Sequence, residues 1–344
     1  MSDVVNLVSR LLSDHCSAEV VLRAEGGEWP DTLWGAVEAA GLPLALVAEG
    51  EHSLGVVAEE VFRAVRLAGQ FAAPIPLPET LLANWLLAQC GLAPQSGPLV
   101  LACDASLRLD GATLRLTGEV ASVPWGRRAG IVVGFEHQQN LHVAFLGRAG
   151  FTLHEGANVA REPRDRLVLD VDLTRVLVAP APAALDRLRL RAAGAALRCS
   201  QIAGAIHGIT AITVEYANQR QQFGRPISKF QAVQQHLAVL ATQAAAASSA
   251  ADLAAQAFAE GIRVPAIAAA KTFAGEAAGA AAAIAHQMHG AMGFSQEYPL
   301  HLRTRRLWSW RDECGNETEW ATQLGAGLAL RGADALWAEV VAIA

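Results

Sequence analysis

The sequence has no C-x-x-C pair, and its five cysteines, Cys16, Cys90, Cys103, Cys199 and Cys314, lie far apart. Scattered thiols fit a reducing compartment, so a cytoplasmic protein without disulfides is expected. His207, His286 and His289 have no carboxylates at ligand spacing, and no metal is expected. Positive charge is also scarce: 27 Lys and Arg face 33 Asp and Glu, a formal net charge of -6. This excludes a general nucleic-acid surface, whose affinity comes mainly from Lys and Arg. Any anion site must be local. The hydrophobic fraction is 52%, yet no uninterrupted apolar run reaches the ~20 residues that cross a bilayer. Much of that fraction is alanine, as in "AAKTFAGEAAGAAAAIA", which Lys271 and Glu276 interrupt. Nor does a basic segment followed by an apolar one open the chain, so neither a membrane span nor a secretory signal is expected.

What is present falls into three regions. Residues 1–96 carry apolar residues at helical spacing, as in "DTLWGAVEAAGL" and "ETLLANWLLAQCGL", punctuated by Gly41, Pro43, Pro74, Pro76 and Pro78. Residues 97–180 change period. "SLRLDGATLRLTGEV" alternates apolar and polar residues about Asp110-Gly111, a hairpin signal. Residues 181–344 return to long, alanine-rich helical stretches, whose small side chains suit a tight antiparallel bundle. The expected fold is mainly α with a β middle domain.

Two stretches carry chemistry. In "VEYANQRQQFGRPISKFQAVQQHLA" a helix should end near Arg220, turn at Phe223-Gly224-Arg225-Pro226 and restart near Ser228, with Pro226 as the stop and Ser228 as the N-cap. Taken alone, Arg220 need only complement a helix dipole. In "HQMHGAMGF" the small residues Gly290 and Ala291 would let backbone N–H groups approach a ligand, or would simply end a helix.

Together these stretches, with "QEYPLHLRTRR" after them, resemble the acyl-CoA dehydrogenase family. The first is similar to its R-x-x-F-G turn followed by F-Q, the second to its Q-x-x-G-G-x-G-(F/Y) segment. The resemblance implies a helical N-terminal domain, a β-barrel-like middle domain and a C-terminal four-helix bundle, with FAD at a subunit interface. It further implies that Arg220, Gln222, Phe223 and Gln231, with Gln287, Gly290, Ala291 and Gly293, approach the nucleotide part of an FAD bound mainly by a neighbour. An arginine fork suits pyrophosphate oxygens.

In that family the α-proton of an acyl-CoA thioester leaves to a carboxylate while the β-hydrogen leaves as hydride to the flavin. The usual glutamate opens an E-G-T segment. Counting from Gly293-Phe294, that segment falls on Cys314, Gly315 and Asn316, so the base is replaced by a cysteine and Asn316 joins the candidate cofactor residues. The minority Glu-Arg position falls near Gly194-Ala195, where no such pair stands. Glu313 remains as a weak alternative base, if a shift of one helical position turns it inward, against a salt-bridge role with Arg306 or Arg311. The middle domain lacks the family's T-E-P-x-x-G-S-D-like segment in "LVLACDASLRLDG", and Ser122 and Trp125 only echo its flavin-contacting tryptophan segment.

This combination looks similar to the base-lacking half of α2β2 acyl-CoA dehydrogenases, several of which act on CoA thioesters of steroid side chains or other bulky acids. It implies FAD, an acyl-CoA substrate, a second acyl-CoA dehydrogenase-like subunit and an electron-transfer flavoprotein. The alternatives are a homo-oligomer with Glu313 as relocated base, or a flavin-free scaffold or acyl-CoA-binding subunit. The cluster Arg303, Arg305 and Arg306 is expected on a solvated or pairing face, and Trp308, Trp310 and Trp320 in packing or subunit contacts.

Overall fold

The computed structural model describes residues 3–47, 54–103 and 106–343. Five helices come first: α1 (Asp3–His15), α2 (Ala18–Glu25), α3 (Asp31–Ala39), α4 (Ala58–Gln70) and α5 (Leu77–Gln89). Eight strands follow: β1 (Leu99–Cys103), β2 (Arg108–Asp110), β3 (Arg115–Pro124), β4 (Gly130–His137), β5 (Asn140–Gly147), β6 (Phe151–His154), β7 (Arg164–Asp172) and β8 (Leu177–Pro180). The rest is helical apart from one short hairpin: α6 (Arg187–Gln219), β9 (Gln221–Gln222), β10 (Arg225–Pro226), α7 (Gln231–Ala259), α8 (Val264–His289), α9 (Leu300–Asp312), α10 (Glu317–Arg331) and α11 (Leu336–Ile343). The helical, β, helical order expected from the sequence is the order observed. By packing the chain divides into two compact units, Met1–Arg23 with Ala58–Ala73 and Arg191–Ala344, and Ala24–Val57 with Pro74–Leu190.

In the second unit the strands form two four-stranded sheets, β1-β4-β5-β8 and β2-β3-β7-β6. Alternation sets the core, since period-two side chains put one face of each sheet inward. Val100, Ile131, Val133 and Phe135 of one sheet meet Leu116, Val120, Leu167 and Leu169 of the other. The Asp110-Gly111 hairpin forms as expected, with Asp110 paired to Arg115. Its carboxylate accepts from the Thr113 hydroxyl at 2.8 Å and the Ala112 amide at 2.9 Å. Those donors hold the Asp110 carboxyl below its ordinary range.

In the first unit the long helices pack closely because glycine and alanine occupy the contacts. The crossing of α4 with α6 is the tightest: a Cβ on Gly204 would overlap the Arg66 carbonyl oxygen, and one on Gly69 would overlap that of Gln201. Across α4 and α7, Phe62 lies 5.1 Å from Phe258, and Arg66 pairs with Asp252 at 2.5 Å. By length and composition α7 is apolar enough to cross a membrane, with 22% of the tested stretch buried. The sequence expectation counted uninterrupted runs; here alanine raises the average although Gln243, Ser248 and Ser249 break the run.

Candidate functional site

The motif around Arg220 lies where α6 ends. The Arg220 amide closes the last turn onto the Tyr216 carbonyl at 2.8 Å, and its own carbonyl accepts from Ile227 at 2.8 Å. Between them β9 and β10 reverse through Phe223 and Gly224, both at positive φ of 52° and 76°. Two local expectations are corrected. Pro226 sits in β10 rather than at the helix stop, and Phe230, not Ser228, occupies the N-cap of α7. Ser228 lies in a 3-10 turn, and its carbonyl accepts from the Gln234 side chain at 3.1 Å.

The Gln287 segment meets the same end of the bundle. Tyr216 stacks on His289 with ring centroids 4.4 Å apart, and its hydroxyl donates to the His289 carbonyl at 3.4 Å. The final turn of α6 is thereby pinned to that of α8. Nδ1 of His289 faces the Ala285 carbonyl at 2.7 Å and must carry the proton, leaving Nε2 to accept from the Tyr298 hydroxyl at 3.3 Å. Burial lowers the pKa of both His286 and His289, so both imidazoles are neutral at pH 7.

The candidate cofactor residues differ in what they offer at this end. Arg220, Gln222, Phe223, Gln231, Gln287, Gly290 and Ala291 are exposed. Arg220 makes no ion pair among the described residues, whereas Arg225 is engaged over the Phe230 ring at 4.4 Å. Phe223 is 92% and Phe294 76% exposed. Gly290, at φ 57°, has open space where a Cβ would stand. Gly293 instead is buried, and a Cβ there would press on His289 at 3.0 Å, so it serves packing. An exposed, uncommitted guanidinium beside exposed rings and an open glycine turn fits an anionic nucleotide.

The position counted for the base lies elsewhere. Arg198 and Tyr216 are eighteen residues apart on α6, about 27 Å at 1.5 Å per residue. Glu313 is not on a helix: it caps α9 in extended backbone, so the helical-phase argument for turning it inward does not apply. Its carboxylate meets Arg198 of α6 at 2.6 Å. Arg198, itself 5% exposed, also donates to Gln201. Arg311 pairs with Glu317, and Arg191 pairs with Glu319 while lying 5.3 Å over the Trp320 ring. Beneath them Lys271 of α8 is fully buried, and its Nζ donates to the carbonyls of Arg311 at 2.6 Å and Gly315 at 2.8 Å. Burial lowers the Lys271 pKa, an effect opposed by Cys199, Cys314 and Glu313. Asn316 caps α10, its side-chain oxygen accepting from the Glu319 amide at 2.9 Å.

Arg198 and Lys271 were not singled out from sequence. The signal was there: each is a lone cation in an otherwise small and apolar stretch, and a buried charge needs partners. The expectation for the arginine cluster is also corrected. Arg306 is fully buried and donates to the Leu302 carbonyl at 2.7 Å, and Arg303 donates to the Gln70 carbonyl at 2.7 Å. Burial pulls the Arg303 pKa down to about 10. Trp310 and Trp320 are core residues, while Trp308 is 46% exposed.

In the β unit the echo of a flavin-contacting segment is committed to structure. Trp125 is 5% exposed within the core between the sheets. Arg127 is held by Asp165 at 2.5 Å and Glu155 at 2.7 Å. Ser122 is exposed at φ 56°. These residues do not fit a ring-binding wall. Asp104 and Ala105, within the stretch where the other family segment was sought, lie outside the described residues.

Comparison with known proteins accords with this architecture. Residues 185–311 match the model of the acyl-CoA dehydrogenase C-terminal domain. The acyl-CoA dehydrogenase IpdE2 of Mycolicibacterium smegmatis is 24% identical over 309 residues, covering 87% of this chain and 89% of that one. A shorter stretch of 102 residues is 39% identical to the 3-sulfinopropanoyl-CoA desulfinase of Paraburkholderia xenovorans, 30% of this chain and only 26% of that enzyme. The ChsE4-ChsE5 complex from Mycobacterium tuberculosis has a chain of the same fold, with a TM-score of 0.80 at 23% identity, over 96% of this chain and 97% of that one. The fold is therefore the acyl-CoA dehydrogenase fold. Within that fold, residues 185–311 are similar to the acyl-CoA dehydrogenase C-terminal domain.

Proposed function

We propose that this chain is the base-lacking subunit of a heteromeric, FAD-dependent acyl-CoA dehydrogenase, lending the Arg220 end of its bundle to an FAD held mainly by a second, related subunit. The observation that carries the proposal is the state of the base position. Cys314 stands where the family glutamate is expected, and the neighbouring Glu313 is tied to buried Arg198 at 2.6 Å. That ion pair holds the carboxylate against α6 and commits it to a structural contact. A general base must also lie within hydrogen-bond reach of the proton it removes.

The uncommitted Arg220, with Gln222, Gln287 and the open Gly290–Ala291 turn, supports the cofactor role, since these groups would meet phosphate and adenosine rather than the reacting carbon. FAD, when bound, supplies the hydride acceptor. The partner supplies the carboxylate and the acyl pocket, an electron-transfer flavoprotein takes the electrons, and the complex works in the cytoplasm. The complex of a chain with the same fold supports a second subunit.

Glu313→Gln tests the assignment. In the reconstituted complex turnover is expected to stay within about threefold of the parent. A loss of about a thousandfold, the scale of a removed general base, would instead make Glu313 the base.

A further inference from the structure

The corner between α9 and α10 is built against a single stripe of α8. Lys271, Gly275 and Gly279 are spaced by four residues and so face one way. Lys271 donates to carbonyls on both sides of Cys314, that of Arg311 in the last turn of α9 and that of Gly315 in the corner, at 2.6 and 2.8 Å. A Cβ on Gly275 would meet Glu317 Oε2 at 2.8 Å, and one on Gly279 would meet the Arg311 guanidinium at 3.4 Å. The stripe thus leaves room for the Arg311–Glu317 pair to lie across the helix. Within the corner, Cys314 and Gly315 are consecutive residues at positive φ, 56° and 99°. Left-handed backbone is unfavourable for cysteine and persists only where its surroundings impose it. The Cys314 carbonyl is fixed as well, accepting from Trp320 Nε1 at 3.0 Å.

We propose that Lys271 is the positioning residue of this corner: its buried ammonium holds the Cys314–Gly315 turn in left-handed backbone and thereby keeps Glu313 against Arg198. A buried cation at this point has a use only if the corner closes over it, and a released corner would leave Lys271 without either carbonyl. The proposal deepens the reading of the corner as a surrendered base position, but its test needs neither FAD nor a partner.

The test is the alkylation rate of individual cysteines by N-ethylmaleimide, followed by peptide mass spectrometry on the folded chain with Lys271 intact or replaced. Cys199 is the internal control: it is fully buried on α6, and burial pushes its thiol up to about 12. In Lys271→Met the Cys314 rate is expected to rise at least tenfold while Cys199 stays protected. The direction is diagnostic. Removing a nearby cation favours the neutral thiol, so a purely electrostatic role would slow Cys314. An unchanged or slower Cys314 overturns the proposal, and so does an equal acceleration at Cys199, which would mean general loosening of the bundle. If Lys271→Met does not fold, Lys271→Gln keeps an amide N–H2 on a shorter stem without the charge; at least a fivefold rise confined to Cys314 is then expected, with the same overturning results.

Discussion

Arg220→Ala is expected to lower FAD retention in the purified heteromeric complex by about 10- to 100-fold, while the chain itself folds as before. The scale is that of losing a charge-assisted, bidentate contact of ~1.5–3 kcal/mol. The folded state should hardly notice, because Arg220 is exposed and makes no ion pair among the described residues. Flavin-to-protein ratio after gel filtration, together with a thermal melt, reads both effects. Arg220→Lys should fall between parent and alanine variant, since an ammonium keeps the charge but cannot form the planar fork. Equal flavin content in all three would remove Arg220 from the cofactor site.

Gly204→Ala is expected to destabilise the first unit by about 3 kcal/mol or more, the upper range for an overpacked core position. Helix propensity alone predicts the opposite, since alanine is favoured over glycine in a helix interior by about 1 kcal/mol. Packing should win because the added Cβ meets backbone: the Arg66 carbonyl oxygen lies within its contact radius, and the Gln70 amide nitrogen stands 2.8 Å away. Neither can swing aside as a flexible side chain would, so α4 and α6 must separate. Denaturant titration decides the sign, and an unchanged or raised midpoint would mean that the crossing yields at little cost.

The sequence made the architecture legible because periodicity reports which face is buried. The switch from period 3.6 to period 2 near residue 97, and the Asp110-Gly111 hairpin, reappear in the strands and in the Asp110 turn. The end of α6 was legible too, through a string of residues whose order is specific. What stayed hidden depended on partners distant in sequence. Glu313 is turned to Arg198, more than a hundred residues away, by a break in the helix that Gly315 and Asn316 mark, while nothing local names the partner. Lys271 was visible only as an interruption in an alanine run, yet it is the buried charge around which the corner closes. Arg303 and Arg306 failed for a related reason: a cluster of cations suggests solvent, but their guanidinium groups reach backbone carbonyls inside the unit. Ser228 had the right residue type for a cap, two residues too early for the helix that forms.

The central claim is that this chain completes another subunit's flavin site rather than owning one, and the visible absorption spectrum with native mass tests it most directly. The chain purified alone is expected to be colourless, and to become yellow and active only when assembled with a second acyl-CoA dehydrogenase-like subunit that carries the glutamate. A yellow homo-oligomer of this chain alone, holding one FAD per chain and turning over acyl-CoA, would contradict the account.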